Sequence, residues 1–428
     1  MGNTSNVKAI VGIQWGDEGK GRMIDWFAQK ADVVVRYQGG NNAGHTIVNE
    51  FGTFKLHLVP SGIFNPMVVN VIGPGVVVDI QALWKEMKEL KNAGIEIGNI
   101  KLSERATICF PYHKLQDQLE ESRLGAAAYG STQRGIAPAY ADRYSKKTLQ
   151  VGELLYPEKL REHLKTIVEW KNMTLKSFYE HEGVDFEEMY QWALEYGEKL
   201  RPFITNTNKI LGHAHKEGKE ILFEAQLGSM RDVYYGIYPY TTSSNVLASF
   251  APIGGGLFEQ HIIEVCGVMK AFTTSVGGGP LVAEMPEDEA HVLREHADEY
   301  GATTGRPRRV GYFDAVASRY GAYLQGADYL VLTKIDCLNI LDNIKIVAGY
   351  KIDGEITKEF PINALLDEAE PVYIEMPGWK QDISGCRDWE ELPKEAQDFI
   401  LKIEKLVEHP IKYISVGPER DSLIERKL

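Results

Sequence analysis

A strand, a glycine-rich loop and a helix at the amino end constrain the fold of this chain most. Residues 7–13 form an apolar run rich in valine and isoleucine, and four glycines follow between positions 12 and 21. Residues 23–28 then have helical spacing, and a second β-rich run covers residues 32–37. Runs that are apolar throughout are typical of strands buried on both faces of a parallel sheet. A glycine loop between such a strand and a helix is suited to bind phosphate, because backbone N–H groups and the helix dipole face the anion.

The alternation of strands and helices continues along the chain. Further strand patterns cover residues 68–72, 221–224, 329–333, 344–350 and 413–416, and helical patterns cover residues 80–93, 314–325 and 393–407. We therefore predict an α/β fold with a large, mostly parallel central sheet, helices on both faces and helical insertions. Residues 157–218 are predicted to form a helical excursion without a strand. No repeat or Pro-rich linker divides the chain, so residues 1–428 are interpreted as a single domain.

Composition narrows the class of function. Asp and Glu (60) outnumber Lys and Arg (47), which gives a formal charge of −13. Without a basic excess, neither nucleic acid nor an anionic membrane is an expected partner, whereas a small phosphate ligand needs only a local cluster of donors. No apolar run approaches the ~20 residues of a membrane span. Four scattered cysteines and the absence of a signal-peptide pattern favour a cytoplasmic protein.

Charged residues make two glycine loops candidates for chemistry. In the first loop Lys20 supplies a cation for phosphate, but the spacing departs from the usual phosphate loop and a plain glycine turn is the alternative. Asp17 and Glu18 would repel a phosphate there unless they hold a cation or move protons. The second loop, residues 38–46, places His45 among small residues, where it is either an acid or a structural side chain.

The strand pattern 329–333 ends in Thr-Lys-Ile-Asp, which resembles the element by which GTP-binding proteins recognise guanine. The Asp336 carboxylate would accept hydrogen bonds from the ring N–H and the exocyclic amine, and the Lys334 stem would cover the ring. Adenine offers the opposite pattern of donors and acceptors, so a carboxylate at this position favours GTP.

Residues 301–309, Gly-Ala-Thr-Thr-Gly-Arg-Pro-Arg-Arg, place three arginines beside two hydroxyl side chains. A solvated basic turn is the simplest interpretation. Because arginine forks bind carboxylate and phosphate bidentately, the segment is also a candidate loop for a dicarboxylate and a nucleotide triphosphate.

Seven strings, spread over the chain from residue 14 almost to the carboxyl end, together resemble the adenylosuccinate synthetase family. They are QWGDEGKG (14–21), RYQGGNNAGHT (36–46), YPYTTSSN (238–245), GATTGRPRR (301–309), TKID (333–336), EMPGW (375–379) and SVGPER (415–420). The resemblance implies a ligase that uses GTP to join L-aspartate to C6 of IMP, with adenylosuccinate, GDP and phosphate as products.

The resemblance also implies roles for two catalytic residues and a metal ion. Asp17 matches the base that removes the N1 proton of IMP, so that the 6-oxygen attacks the γ-phosphate of GTP. His45 matches the residue that stabilises and protonates around that oxygen, and the amine of aspartate then displaces the phosphoryl group. Asp17 and the carbonyl of Gly44 match the ligands of Mg²⁺, the expected cofactor. Family members are homodimers, so a homodimer is the expected assembly.

The other expected contacts follow from the matched strings in three sets. GTP is expected to contact Gly16, Glu18, Gly19, Lys20, Gly21, Arg22, Gly44, Thr46, Arg308, Lys334, Ile335, Asp336, Ser415, Val416 and Gly417. The purine nucleotide is expected to contact Asp17, Lys20, Asn42, Ala43, His45, Thr132, Lys146, Gln226, Leu227, Thr242 and Arg306. L-Aspartate is expected to contact Ala302, Thr303, Thr304, Gly305, Arg306 and Arg308.

The chain departs from the family's strings around the acceptor nucleotide. FEGAQG is FEAQLG here (223–228), so Leu227 stands in the glutamine's place unless a backbone shift brings Gln226 there, which is the version we expect. Lys146 stands where the family has an arginine that crosses to the neighbouring subunit. In residues 274–284, Ser275 stands in place of an arginine of the family's string, and a threonine of that string is also missing. Residues 130–138 differ from the family's string as well.

Three functions remain open on the sequence. The intact GTP, Mg²⁺ and aspartate strings favour a synthetase that acts on IMP. The second possible function is the same reaction with a different purine, such as a guanine-type nucleotide. The altered acceptor strings allow it, because pocket contacts set substrate discrimination. A GTP-binding paralogue with little catalysis is the third.

Overall fold

A computed structural model describes residues 7–258, 262, 264–301 and 305–427 of the chain. Within them the strands are β1 (Val7–Gly12), β2 (Val33–Arg36), β3 (His45–Asn49), β4 (Gly52–Leu56), β5 (Val69–Ile72), β6 (Val77–Val78), β7 (Ile100–Ser103), β8 (Thr107–Ile108), β9 (Ile204–Thr205), β10 (Ile221–Glu224), β11 (Glu264–Lys270), β12 (Thr273–Ser275), β13 (Arg309–Gly311), β14 (Phe313–Asp314), β15 (Tyr329–Thr333), β16 (Asn343–Ile352), β17 (Glu355–Thr357), β18 (Glu370–Pro377), β19 (Ile411–Ser415) and β20 (Leu423–Glu425). The helices are α1 (Lys20–Phe27), α2 (Ile80–Asn92), α3 (Pro111–Leu124), α4 (Ile136–Ser145), α5 (Pro157–Tyr179), α6 (Phe186–Leu200), α7 (Thr207–Lys216), α8 (Ala251–Gly255), α9 (Glu287–His296), α10 (Ala315–Gln325), α11 (Asn363–Leu366) and α12 (Lys394–Val407). Across these residues, no helix is both long and apolar enough to cross a membrane.

Ten strands form one central sheet in the order β20-β19-β15-β11-β1-β10-β2-β5-β7-β9. Every neighbouring pair is parallel except β19 and β20. The predicted α/β fold with a large, mostly parallel sheet is therefore confirmed. The pattern at 344–350 belongs instead to β16, which pairs with β14, β17 and β18 in a smaller sheet.

Apolar residues on both sides of each central strand explain why helices cover both faces. In β1, Ala9 and Val11 belong to the same buried cluster as Leu211 of α7. Ile10, between them, belongs to a second cluster with Met23 and Ile24 of α1. Because successive side chains of a strand point to opposite faces, these clusters lie on opposite sides of the sheet.

The helical excursion differs from the prediction in one respect. Residues 157–218 contain α5, α6 and α7, but also β9, which pairs in parallel with β7 at the edge of the central sheet. A strand of two residues shows no period in the sequence, so the pattern could not reveal it. The interpretation of the chain as a single domain stays a prediction.

The parallel arrangement brings the loops that follow β1, β2, β10, β15 and β19 to the same edge of the sheet, because the carboxyl ends of parallel strands meet there. The first of these loops is residues 13–19, the second contains residues 37–44, and the third begins at residue 225. Four of the seven strings that carry the resemblance, at residues 14–21, 36–46, 333–336 and 415–420, therefore meet at this edge.

Candidate active site

The buried Glu18 organises the first glycine loop. Its Oε1 accepts the backbone N–H groups of Gln14 (3.1 Å) and Gly16 (2.9 Å), and its Oε2 lies 2.5 Å from the Lys20 ammonium. A Cβ at Gly12 would lie 2.3 Å from the carbonyl oxygen of Leu227 and within 3 Å of this carboxylate, so only glycine fits there. The carboxylate of Glu18 thus stabilises the loop, and only the backbone of Glu18 remains to contact a nucleotide.

Asp17 projects from the same loop toward a different partner. It is partly exposed and holds a left-handed backbone conformation with φ 59°. One carboxylate oxygen lies 3.2 Å from Nε of the buried Arg308. Asp17 therefore faces the arginine loop, whereas its neighbour Glu18 faces inward.

His45 is held by a buried carboxylate that the sequence analysis did not single out. Glu224, at the end of β10, lies 2.6 Å from Nδ1 of His45 and accepts the hydroxyl (2.7 Å) and the backbone N–H (2.8 Å) of Ser61. Burial lowers the pKa of His45, although the Glu224 carboxylate acts to raise it. The other ring nitrogen, Nε2, is buried with no hydrogen-bond partner among the described residues. Glu224 thus orients the ring and leaves Nε2 available to a ligand.

A cavity of about 570 Å³ opens beside these residues at the sheet edge. The predicted residues that line it are Asp17, Asn42, Ala43, Gly44, Thr132, Leu227 and Thr242. Lys146 is exposed at the left-handed end of α4 and does not line it. Arg306 is also exposed, and its carbonyl accepts the backbone N–H of Gly301 at 2.8 Å.

The position of Gln226 corrects the expected backbone shift. Its side chain is fully buried beneath the second glycine loop, where Nε2 donates to the carbonyl of Gly40 at 2.9 Å. Gly39 has φ 79°, and a Cβ there would lie 2.5 Å from Oε1 of Gln226. Leu227, with φ 60°, lines the cavity instead. Leu227 rather than Gln226 therefore lines the cavity, because the Gln226 amide holds the glycine loop.

A second buried carboxylate, also missed from the sequence, joins three cations. Glu299 contacts the Arg308 guanidinium and lies 3.1 Å from the Lys270 ammonium and 3.4 Å from that of Lys334. Burial acts to raise its pKa, but the three cations lower the pKa of Glu299 to about 2. Burial lowers the pKa of Lys270 to about 8. Glu299 thus links the arginine loop to the Thr-Lys-Ile-Asp segment.

The predicted guanine residues lie beside the start of α1. The Arg22 guanidinium contacts the Ser415 hydroxyl and donates from Nε to the carbonyl of Glu419 at 2.9 Å. Burial raises the pKa of Asp336, while Lys334 and Arg22 act to lower it. Asp336, Arg22 and Ser415 are therefore brought together.

The remaining predicted residues fall into three groups. Gly19 caps α1 with φ 90° and Gly21 lies inside that helix, so both flank the loop. Ile335 and Val416 are fully buried, and their side chains pack in the core, whereas Thr46 is exposed on β3. Gly417 is buried, and its carbonyl accepts the Ser415 hydroxyl at 3.2 Å.

Ala302, Thr303 and Thr304 lie outside the described residues. The stems of their loop are joined by the backbone N–H of Gly305, which donates to the carbonyl of Gly301 at 2.8 Å. The N–H of Arg308 donates to the carbonyl of Glu299 at 3.0 Å. Gly305 and Arg308 thereby lie next to the cavity that Gly301 lines.

The donors at the cavity fit a magnesium ion. Among the described residues no group of three or more His, Cys, Asp or Glu side chains forms a metal cage. Mg²⁺ needs no such cage, since it is commonly held by one or two carboxylates together with waters and substrate phosphates. The Asp17 carboxylate and Gly44 line the same cavity and supply oxygens of this kind.

Comparison with known proteins agrees with this geometry. The family model described as adenylosuccinate synthetase matches residues 9–424. Adenylosuccinate synthetase 2 of Pseudoalteromonas translucida is 50% identical over 421 residues, which cover 97% of this chain and 99% of that protein. Adenylosuccinate synthetase of Thermoanaerobacter sp. is 48% identical, with 97% and 98% covered.

Two solved structures are similar to this chain. Fully ligated adenylosuccinate synthetase from Plasmodium falciparum has a TM-score of 0.93 at 34% identity, with 99% of this chain and 100% of that chain covered. A cyanophage S-2L succinoaminodeoxyadenylate synthetase, bound to dGMP and dATP, has a TM-score of 0.63 at 19% identity, covers 99% and 96%, and shows the shared fold alone. Since the family model and the closely similar relatives span almost its whole length, the chain belongs to the adenylosuccinate synthetase family.

Proposed function

We propose that this chain uses GTP to join L-aspartate to C6 of IMP, forming adenylosuccinate, GDP and phosphate. As a member of its family it is a GTP-dependent ligase of purine nucleotide biosynthesis. The observation that best supports the proposal is that Asp17 and Gly44, the neighbour of His45, line one cavity. Arg308 pairs with Asp17 there and is joined through Glu299 to Lys334 of the Asp336 segment. These groups supply a base, an acid, an anion site and a guanine acceptor.

The proposed reaction proceeds in two steps. Asp17 accepts the N1 proton of IMP, and the 6-oxygen attacks the γ-phosphorus of GTP, which breaks its bond to the oxygen of GDP. The amine of aspartate then adds at C6, loses a proton and expels phosphate. Phosphorylation is needed because an amide-like oxygen is a poor leaving group. The Nε2 atom of His45 interacts with the 6-oxygen, where charge develops in the first step.

Asp17 and the Gly44 carbonyl are proposed to hold Mg²⁺. When bound, the ion offsets the charge that develops on the phosphate oxygens. Arg308 adds a fixed positive charge, and Glu18 keeps Lys20 at the phosphate end of the loop.

Measurement of phosphate release by the purified protein tests the proposal. With GTP, aspartate and Mg²⁺ present, IMP is expected to give adenylosuccinate and one phosphate per turnover. GMP and dGMP serve as competing acceptors. If phosphate is released only with a 2-amino purine nucleotide, that nucleotide replaces IMP as the proposed acceptor. If no acceptor causes phosphate release, the protein binds nucleotides without catalysing the reaction.

Leu227→Gln is expected to raise the ratio of kcat/KM for IMP to that for GMP by at least about threefold. An apolar wall discriminates weakly between acceptors, whereas a hydrogen-bonding group rejects analogues that leave it unpaired. Steady-state rates with both acceptors provide the measurement, and Leu227→Met, which stays apolar, is the matched control. Equal ratios in the wild type and both variants would show that position 227 does not contact the base.

Gln226→Ala, by contrast, should lower kcat/KM for all acceptors alike, since the amide of Gln226 holds Gly40.

Asp336→Asn is expected to lower kcat/KM for GTP at least about tenfold and to favour xanthosine or inosine triphosphate relatively. The amide no longer offers the negative acceptor that fits the paired donors of guanine. Competition between nucleotides in the phosphate assay provides the measurement. Asp342→Asn, at an exposed carboxylate paired with Lys380, is the control. An unchanged preference for GTP would exclude a role for Asp336 in base recognition.

Glu224→Gln is expected to lower kcat by about 10- to 100-fold and to shift the pH profile. The carboxylate raises the pKa of His45, so its loss lowers that pKa further. Any step that needs protonated His45 should then be lost at a lower pH than in the wild type. The pH dependence of kcat provides the measurement, with Ser61→Ala as a control that keeps the contact between Glu224 and His45. An unshifted profile would show that Glu224 does not act through His45.

The assembly and location of the protein are also proposals. A homodimer is supported by the exposure of Lys146 and Tyr144 at the end of α4, away from the chain's own cavity. In such a dimer Lys146 would reach the acceptor cavity of the neighbouring subunit, and sedimentation measurements test the assembly. The four free cysteines support a protein of the cytoplasm, and the acidic composition supports one that binds small molecules rather than nucleic acid.

A further inference from the structure

Arg231 lies where it can act on the acceptor cavity, although no matched string pointed to it. It ends a short turn after β10, is only 8% exposed and lines the cavity. Its guanidinium contacts the carbonyl of Tyr240, donates to the carbonyl of Gly278 at 3.2 Å and donates to the Ser275 hydroxyl at 2.6 Å. One side chain therefore joins two segments of the cavity wall.

The backbone of Arg231 strengthens the same arrangement. Its carbonyl accepts the N–H of Thr242 at 2.9 Å, so that a predicted phosphate-binding residue depends on it. A Cβ at Gly277 would lie 3.0 Å from Nη2 of Arg231, which shows how closely the guanidinium packs against residues 275–278. Removing the side chain would therefore release both sides of the wall.

Among the residues that the structure describes, no carboxylate contacts the guanidinium of Arg231 directly. Within the described part of the chain, its guanidinium contacts carbonyls and a hydroxyl, while Arg309 acts to lower its pKa and Asp17 to raise it, both without a direct contact. Burial lowers the pKa of Arg231 to about 10, which leaves it charged at neutral pH. A buried cation is costly unless an anion pairs with it, so the position suits an anionic ligand in the cavity.

The contact with Ser275 connects this cation to a departure in the sequence. Position 275 is where the family's string has an arginine, and the serine there accepts a hydrogen bond from Arg231. We infer that Arg231 supplies, from the turn after β10, the guanidinium fork that residue 275 has lost. It acts as a positioning residue that fixes the wall formed by Thr242 and residues 275–278 for the anionic acceptor nucleotide. The inference rests on the proposed function, since it assumes a nucleotide in this cavity.

Kinetics of an exchange pair tests the inference on the full-length protein. Arg231→Met is expected to raise KM for IMP at least about tenfold while KM for GTP changes less than about twofold. Adding Ser275→Arg to this variant is expected to recover at least about half of the lost affinity on a logarithmic scale. Arg161→Met, an exposed arginine paired with Glu187 on the helical excursion, is the matched control.

Three results would overturn the inference. They are a KM for IMP within about twofold of the wild type in Arg231→Met, an equal rise of KM for IMP and GTP in a folded variant, or no recovery in the exchange pair. If Arg231→Met does not fold, Arg231→Lys decides the matter, because it keeps the charge but loses the fork. A several-fold rise of KM for IMP alone supports the inference, and an unchanged KM contradicts it. Failure of the proposed function is distinguishable, since the wild type would then release no phosphate with IMP.

Discussion

Asp17→Asn is expected to lower kcat by at least about 100-fold while GTP binding survives. Asparagine keeps the size of the side chain and tolerates the left-handed conformation that Asp17 adopts at φ 59°. It cannot accept the N1 proton of IMP, and it is a poorer ligand for Mg²⁺ than a carboxylate. The base and the metal ligand are thus removed together without a change in backbone strain. Single-turnover phosphate release and equilibrium binding of GTP provide the two measurements.

Asp353→Asn is the matched control for this variant. Asp353 is an exposed aspartate with φ 52° in the turn between β16 and β17, remote from the cavity. Its replacement repeats the chemical change in the same backbone conformation, so wild-type activity is expected. If Asp17→Asn kept more than about a tenth of the wild-type kcat, the proton would have to leave N1 by another route.

Patterns among residues close in sequence made the fold predictable, together with the part of the site that contains Asp17 and His45. The continuous apolar runs at residues 7–13 and 329–333 predicted parallel strands, and both lie in the central sheet. The strand that was missed, β9, is too short to show a period. Glycine loops after predicted strands also placed Asp17 and His45 at one edge, because parallel strands share a carboxyl edge.

Contacts between distant segments could not be predicted in the same way. Glu224 and His45 are separated by 179 positions, and nothing in either local pattern joins them. A signal existed nevertheless, since a charged residue at the carboxyl end of a buried strand rarely faces the core without a partner. Gln226 failed as a prediction because the need of Gly40 for a donor, visible only in three dimensions, decides where its amide points.

Glu299→Gln is expected to reduce the free energy of unfolding by about 3–5 kcal/mol at neutral pH. Glu299 has no exposed surface, and its carboxylate faces Arg308, Lys270 and Lys334. A neutral amide would leave these cations without their common anion. The Lys270 ammonium, whose pKa burial already lowers to about 8, is the one expected to lose its proton in response. Urea unfolding of both proteins provides the measurement.

The pH dependence of the free energy of unfolding is a second, independent test of whether Glu299 stabilises the fold as the common anion of the three cations. The pKa of Glu299 is about 2 in the folded chain against 4.5 as its ordinary value. A depressed pKa stabilises the fold above the unfolded value, and this contribution, about 3 kcal/mol, is lost as pH falls from 4.5 toward 2. The wild type should therefore lose more stability over this window than Glu299→Gln, which has no proton to gain there.

Replacement of Glu299 should change both the KM values and the free energy of unfolding, whereas replacement of a surface carboxylate should change neither by much. Because Glu299 holds Arg308 and Lys334, its loss is expected to raise KM for both aspartate and GTP. Glu284→Gln, which removes a partly exposed pair with Arg309, is the control and should cost less than about 1 kcal/mol. A Glu299→Gln protein within about 1 kcal/mol of the wild type, with the same slope of stability against pH, would mean that the three cations do not depend on this carboxylate. In that case Arg308 must be positioned by Asp17 and the backbone pairing of the arginine loop alone.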